Sequence, residues 1–374
     1  MTKLLVRYCS LLFPVLLLVL ATTPAATAVP SVRQSNLVSD IPGMARFSDP
    51  ELINPWGIVY TPTGIIVVAD NGTGEATMYD PKTGRAYPTV ITVTAPGMDG
   101  DGAGAPTGVV YNPTSDFLIP VAPAAPAQDG LFRIRPARLI FATEDGTIAG
   151  WNPTVEDMDA LIAVNNSAAG AVYKGIAMGV STAGNTLYAA NFVQKKIDVF
   201  NGSFQPITLA GSFVDPGIPA DYGPFGIANL DGQIFVSYAQ IKAGTHDDEP
   251  GPGHGFVSVF DTNGQFVGRF ASQGSLNSPW GMVIVPKSHP HHDQVLVGNF
   301  GDGRINVFGS NDGRFLGQLR KAGSSNLTID GLWGLALSPN ANGECEDDDV
   351  GPVFFAAGPN DEADGLIGYL SFSR

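Results

Sequence analysis

One four-residue pattern recurs along the 374-residue chain: a proline or bulky residue, a second residue that is most often aromatic or small, glycine, then an aliphatic strand. It stands at Pro55-Trp56-Gly57-Ile58, Pro106-Thr107-Gly108-Val109, Tyr173-Lys174-Gly175-Ile176, Pro224-Phe225-Gly226-Ile227, Pro279-Trp280-Gly281-Met282 and Leu332-Trp333-Gly334-Leu335. The glycines are 51, 67, 51, 55 and 53 residues apart. Self-similarity at about this period marks a propeller or solenoid, because each unit can bury its apolar face only against a neighbour. Within each unit a second strand ends in a polar cluster, such as Val68-Ala69-Asp70-Asn71 or Gly298-Asn299, and further strands follow after tight turns. Four antiparallel strands per unit around an axis is β-propeller architecture, with a β-solenoid as the structural alternative. The expectation is a single six-bladed all-β propeller over residues 29–374.

The last unit shows three strands, while Ser35 to Ser39 is a spare strand ahead of the first unit. Pairing the two closes the ring and removes an edge that otherwise invites aggregation. Helical spacing is confined to a short stretch near Val155 to Ala163, in a composition of 46 Gly, 29 Pro and 15% charged residues that suits strands and turns.

Residues 1–28 read as a secretory leader: Lys3 and Arg7, an apolar run from Leu11 to Leu20, and Ala26-Thr27-Ala28 as a small-residue cleavage site. Without them the net charge moves from −15 to about −17. That balance opposes nucleic-acid binding, which needs Lys and Arg to displace counterions. Cys9 leaves with the leader and Cys345 remains alone among acidic residues, where a reactive thiolate is disfavoured. The expected product is an extracytoplasmic monomer, periplasmic or secreted, with no membrane span after leader removal. The sequons at Asn71, Asn165, Asn201 and Asn326 matter only in a eukaryotic secretory pathway.

Asn36 to Asp40, Asn54-Pro-Trp-Gly-Ile58, Ala69-Asp-Asn-Gly-Thr-Gly74, Ala189-Ala-Asn-Phe192, Leu276 to Met282, Gly298 to Gly303 and Asp330 to Leu335 resemble exported bacterial propellers of the NHL-repeat class, often associated with PEP-CTERM sorting. The resemblance spans nearly the whole mature chain and implies fold and export, without a reaction. The C-terminus lacks the Pro-Glu-Pro, apolar helix and basic tail of the sorted members.

Chain reversal at each strand places the start of the first strand and the turn after the second at one end of the axis. That mouth is expected to gather Trp56, Phe225, Trp280 and Trp333, as blade packing or ligand contacts, with Asp70, Glu144, Asn191, Asn299 and Asn360. Such oxygens suit a hard divalent cation such as Ca²⁺. Asp and Asn beside Gly are also ordinary turn formers. The fourth unit departs from the repeat with His246-Asp-Asp-Glu-Pro-Gly-Pro-Gly-His254, a long loop over the mouth in which Asp247, Asp248 and His254 are acid–base or ligating candidates. His289 to His292 and Glu344 to Asp349 fall at the opposite end. No phosphate loop or nucleophile-elbow serine is present. Two functions compete: a binding or scaffold protein presenting the mouth to a protein, glycan or small molecule, and a metal-assisted hydrolase or lyase with a channel cation. The second resembles six-bladed lactonases and streptogramin lyases in architecture alone.

Overall fold

The computed structural model describes residues 29–97, 102–121, 133–154, 158–285, 293–323, 326–338 and 351–372. The leader, the histidine cluster from His289 to His292 and the acidic run around Cys345 lie outside them. Strands dominate, and among the described residues the helical element is one turn of 3-10 helix, Ser167–Ala169.

Each glycine motif opens a strand: Pro55–Tyr60, Pro106–Tyr111, Tyr173–Ser181, Tyr222–Leu230, Pro279–Ile284 and Leu332–Leu337. Each pairs antiparallel with the strand that follows it within its sheet, and each pairing slips by one residue at the X-Gly step. In the first unit Pro55 faces Asp70 whereas Ile58 faces Val68. Such a β-bulge bends the strand and increases its twist. The six strands pack side by side in order, and the last packs against the first.

The reason for glycine is steric. A Cβ would come within 3.0 Å of the next unit's backbone at five of the motifs: Gly57 at Thr107 O, Gly108 at Ile176 N, Gly226 at Trp280 O, Gly281 at Trp333 O and Gly334 at Trp56 O. Gly175 has slightly more room, with Phe225 O at 3.3 Å. The sequence repeat is thus the record of a ring in which each inner strand presses on its neighbour at one height.

Outward from this ring, Tyr222–Leu230 and Pro279–Ile284 each begin a four-stranded sheet, and Tyr173–Ser181 a three-stranded one. The first two units merge into one eight-stranded sheet, because Ile91–Val93 runs parallel to Asp159–Asn165. The expected helical stretch near Val155 to Ala163 is in its described part a strand, Asp159–Asn165, paired antiparallel with Thr147–Trp151. Ladder hydrogen bonds to an existing strand outweigh a weak local helical preference. The spare N-terminal strand is longer than read, Ser31–Ser39, and pairs antiparallel with Leu366–Phe372. Tyr188, Phe213 and Phe260 typify the apolar layers between neighbouring sheets. Each such side chain contributes about 1.5–3 kcal/mol by leaving water.

Candidate functional site at the mouth of the axis

The turn after each second strand is tied to the start of the first by one recurring bond. The N–H groups of Asn71, Glu144, Phe192, Ile241, Phe300 and Gly358 donate to the carbonyls of Asn54, Ala105, Val172, Asp221, Ser278 and Gly331. Both sets therefore share one end, as chain reversal requires, and these twelve positions frame the mouth.

Aromatic rings close the axis there. Trp333 is sandwiched between Trp56, stacked at 3.7 Å between centroids, and Phe300, stacked at 3.9 Å. Trp280 meets Trp56 edge-on at 6.5 Å, and Phe225 and Phe192 pack behind them. The indole N–H of Trp280 donates to Lys174 O at 2.8 Å, and that of Trp333 to Asn54 Oδ1 at 3.2 Å. The four expected mouth aromatics thus do meet, chiefly as a buried plug.

Beside the plug lies a charged cluster drawn from four units. Lys174, only 2% exposed, carries its ammonium to Glu144 and sits 5.0 Å from the Trp56 ring centroid. Glu144 also accepts from Asn71 Nδ2 at 3.1 Å. Glu362 arrives from the last unit and accepts from Asn54 Nδ2 at 2.7 Å. It ends a run of three residues with positive φ, Asn360, Asp361 and Glu362 at 58°, 55° and 67°. Left-handed backbone costs a non-glycine residue about 1 kcal/mol or more, and such strain concentrates at functional positions. Asp248 comes from the fourth unit's long loop, which is folded back by an antiparallel bridge between Ile241 and Asp248.

Burial pushes the Asp248 carboxyl above the usual carboxylate range, with the nearby Ser278 hydroxyl and Lys174 ammonium opposing the rise. Burial raises Glu362 too, against the pull of Asn54 and Lys174, while Glu144 and Asp248 add to the rise. Three buried polar atoms here have no hydrogen-bond partner among the described residues: Trp56 Nε1, Asp248 Oδ2 and Ser278 Oγ. Ser278 lies beside Asp248 without reaching hydrogen-bond geometry.

Of the expected loop residues, Asp248 alone turns to the axis. Asp247 is exposed, and His254 closes the loop through Nδ1 against Glu249 O at 2.8 Å. The expected cation set spans more than one register. Asp70, Asn191 and Asn299 are the last residues of their second strands, one position before the mouth-framing residues, and a one-residue step reverses the face a side chain takes. Asp70 is wholly buried, takes the Thr77 hydroxyl at 2.8 Å, and is pushed well up by burial. Asn191 donates to Asp198 at 2.8 Å, and Asn299 to Ser275 O at 2.8 Å and Asp302 at 3.0 Å. Asn360 donates to Asp364 at 2.7 Å at the surface. Glu144 alone of the five is in the axial register. Among the described residues no three His, Cys, Asp or Glu side chains group as a metal site. The sequence reading passed over Lys174, Glu362, Asn54 and Ser278. Lys174 carried a signal, since it is the charged member of the six X-Gly steps.

No family model matches the chain. It is 34% identical over 354 residues to "Uncharacterized protein L690" of Acanthamoeba polyphaga mimivirus, covering 92% of this chain and 86% of that protein. A second mimivirus protein, "Uncharacterized protein R648", is 33% identical over 354 residues, covering 92% and 81%. Among solved structures, the calcium-binding protein regucalcin from Agrobacterium tumefaciens superposes with a TM-score of 0.53 at 11% identity, over 92% of this chain and 95% of that one. The PQQ-bound aldose sugar dehydrogenase from Streptomyces coelicolor gives 0.51 at 15% identity, over 92% and 99%. These likenesses support a propeller-type fold and carry no activity across. The expected bacterial, PEP-CTERM-associated family gains no support, because the matching relatives named here are viral. The chain belongs to the family of these two mimivirus proteins.

Proposed function

We propose that the chain is an exported, monomeric, six-bladed propeller acting as a binding protein, and that its mouth takes a small, neutral, hydroxyl-bearing molecule. The observation that carries this reading is the trio of unpartnered buried atoms around Lys174. An unsatisfied buried polar group costs about 1–3 kcal/mol, so a ligand that pairs them recovers free energy already lost in the fold. The Trp56 N–H needs an acceptor, an ionised Asp248 oxygen needs a donor, and Ser278 takes either; a hydroxyl is both donor and acceptor. More than nine-tenths burial of all three residues admits a small group and not a protein surface.

The Lys174 ammonium also weighs against the metal-assisted hydrolase or lyase. It stands beside Glu144 and within the field of Asp248 and Glu362, so the cation these carboxylates face is already supplied by the chain. Titration calorimetry with monosaccharides and polyols, anionic hydroxy acids and Ca²⁺ tests the reading. Binding by a neutral polyol that weakens about tenfold in each of Trp56→Phe, Ser278→Ala and Asp248→Asn, or about 1.4 kcal/mol, is the expected result. Heat from Ca²⁺ alone would restore the metal reading and sink this one.

A further inference from the structure

The other side of the glycine ring holds a second site. A cavity of about 480 Å³ occupies the axis there, lined by residues of all six first strands. Its side wall includes the residue after each motif glycine: Ile58, Val109, Ile176, Ile227, Met282 and Leu335. All six keep 5–9% exposure, whereas the residues they face on the second strands, Val68, Phe141, Ala189, Val236, Val297 and Phe355, are 0% exposed. The residual exposure of the inner residues is therefore to the bore.

We infer that this bore binds a small, uncharged, predominantly apolar molecule, independently of whatever occupies the mouth. Its volume falls within the range of small-molecule pockets, about 300–1,000 Å³. Trp280 and the glycine ring close its inner end. In the first three units the lining advances three residues from the ring, Gly57 to Tyr60, Gly108 to Tyr111 and Gly175 to Met178, about 10 Å at ~3.3 Å per residue, so the site is a short blind well. Among the described residues no Lys, Arg, His, Asp or Glu lines it, and a charged ligand would be desolvated there without a counter-charge. Tyr60, Tyr111 and Asn229 supply polar side chains to the wall, enough to orient a ligand with one polar group. Asn229 is itself held by the neighbouring first strand, donating to Met178 O at 2.9 Å.

Fluorescence titration with the neutral probe N-phenyl-1-naphthylamine tests this on the full mature protein. Wild type is expected to bind saturably at one probe per chain with a blue-shifted emission. Val109→Trp and Met282→Trp, which fill the well from different units, are expected to weaken binding at least tenfold. The melting temperature of each identifies whichever variant keeps its fold, and Val109→Met is a milder filler should both unfold. Val267→Ser, at an exposed apolar position, controls for surface adsorption and should bind as wild type does. No saturable binding by wild type, or undiminished binding by a folded filled variant, would overturn the inference. Either result leaves the mouth reading standing, because its ligands and variants are different.

Discussion

The two sides of the glycine ring are built from the same six repeats and differ in how far those repeats have diverged. On the bore side the equivalent residues are Ile58, Val109, Ile176, Ile227, Met282 and Leu335, alike in size and polarity. On the mouth side the equivalents are Trp56, Thr107, Lys174, Phe225, Trp280 and Trp333, and after the second strands Asn71, Glu144, Phe192, Ile241, Phe300 and Gly358. Six copies of one position that stay alike serve a requirement common to every unit, here packing around an axis. Copies that differ, and that recruit Asp248 and Glu362 from irregular turns, serve a requirement of the whole ring. The asymmetry within one chain separates a uniform apolar wall from a varied polar mouth.

Lys174→Met attacks the mouth at its centre. It leaves Glu144, Asp248 and Glu362 without their counter-charge and should cost about 3–5 kcal/mol at pH 7 in urea unfolding. The deficit should shrink as the pH falls and Asp248 and Glu362 protonate; a loss that is the same at every pH would mean that Lys174 acts through packing alone. Next in size, Gly226→Ala should cost about 2–3 kcal/mol by overpacking against Trp280 O, while Gly175→Ala, with its nearest atom at 3.3 Å, should cost under about 1 kcal/mol. Equal costs would show that the ring is not the rigid divider between the two sides. In the bore, Ile176→Val should cost about 1 kcal/mol and leave the mouth's ligand binding unchanged.

The smallest effect should be a gain. Asp248 has a folded pKa raised by burial, so its contribution to stability is present below the ordinary carboxylate pKa and is lost as the pH rises through the folded value. Asp248→Asn removes that loss, and its melting temperature should overtake wild type as the pH rises above the ordinary carboxylate range. A wild type and variant with parallel pH profiles would place Asp248 in water.

The ring was legible because its cause is local: a missing Cβ at a fixed period can be read directly, and so could the unpaired strand ending at Ser39. Asp70, Asn191 and Asn299 were misplaced for the opposite reason. Which side of a strand end faces the axis depends on pairing, and one residue separates the axial Glu144 from the neighbouring Thr143. The choice of Asp248 over Asp247 rests likewise on its bridge to Ile241, 7 residues earlier. Glu362 reaches the cluster through three consecutive left-handed residues, a conformation that Asn-Asp-Glu does not advertise. The bore's six aliphatics were visible as strand residues, but their common enclosure needs the ring.

The seam between Ser31–Ser39 and Leu366–Phe372 also sets a timetable. The Ser39 hydroxyl donates to the carbonyl of Gly365, a partner 326 residues away. A chain synthesised from its N-terminus cannot complete that sheet until nearly all of it has emerged, and contacts of such sequence separation form slowly. During that interval the first strand to be made has an unpaired edge, the condition in which nascent β-proteins aggregate. The interval ends only when all six repeats are together and the last strand can meet the first.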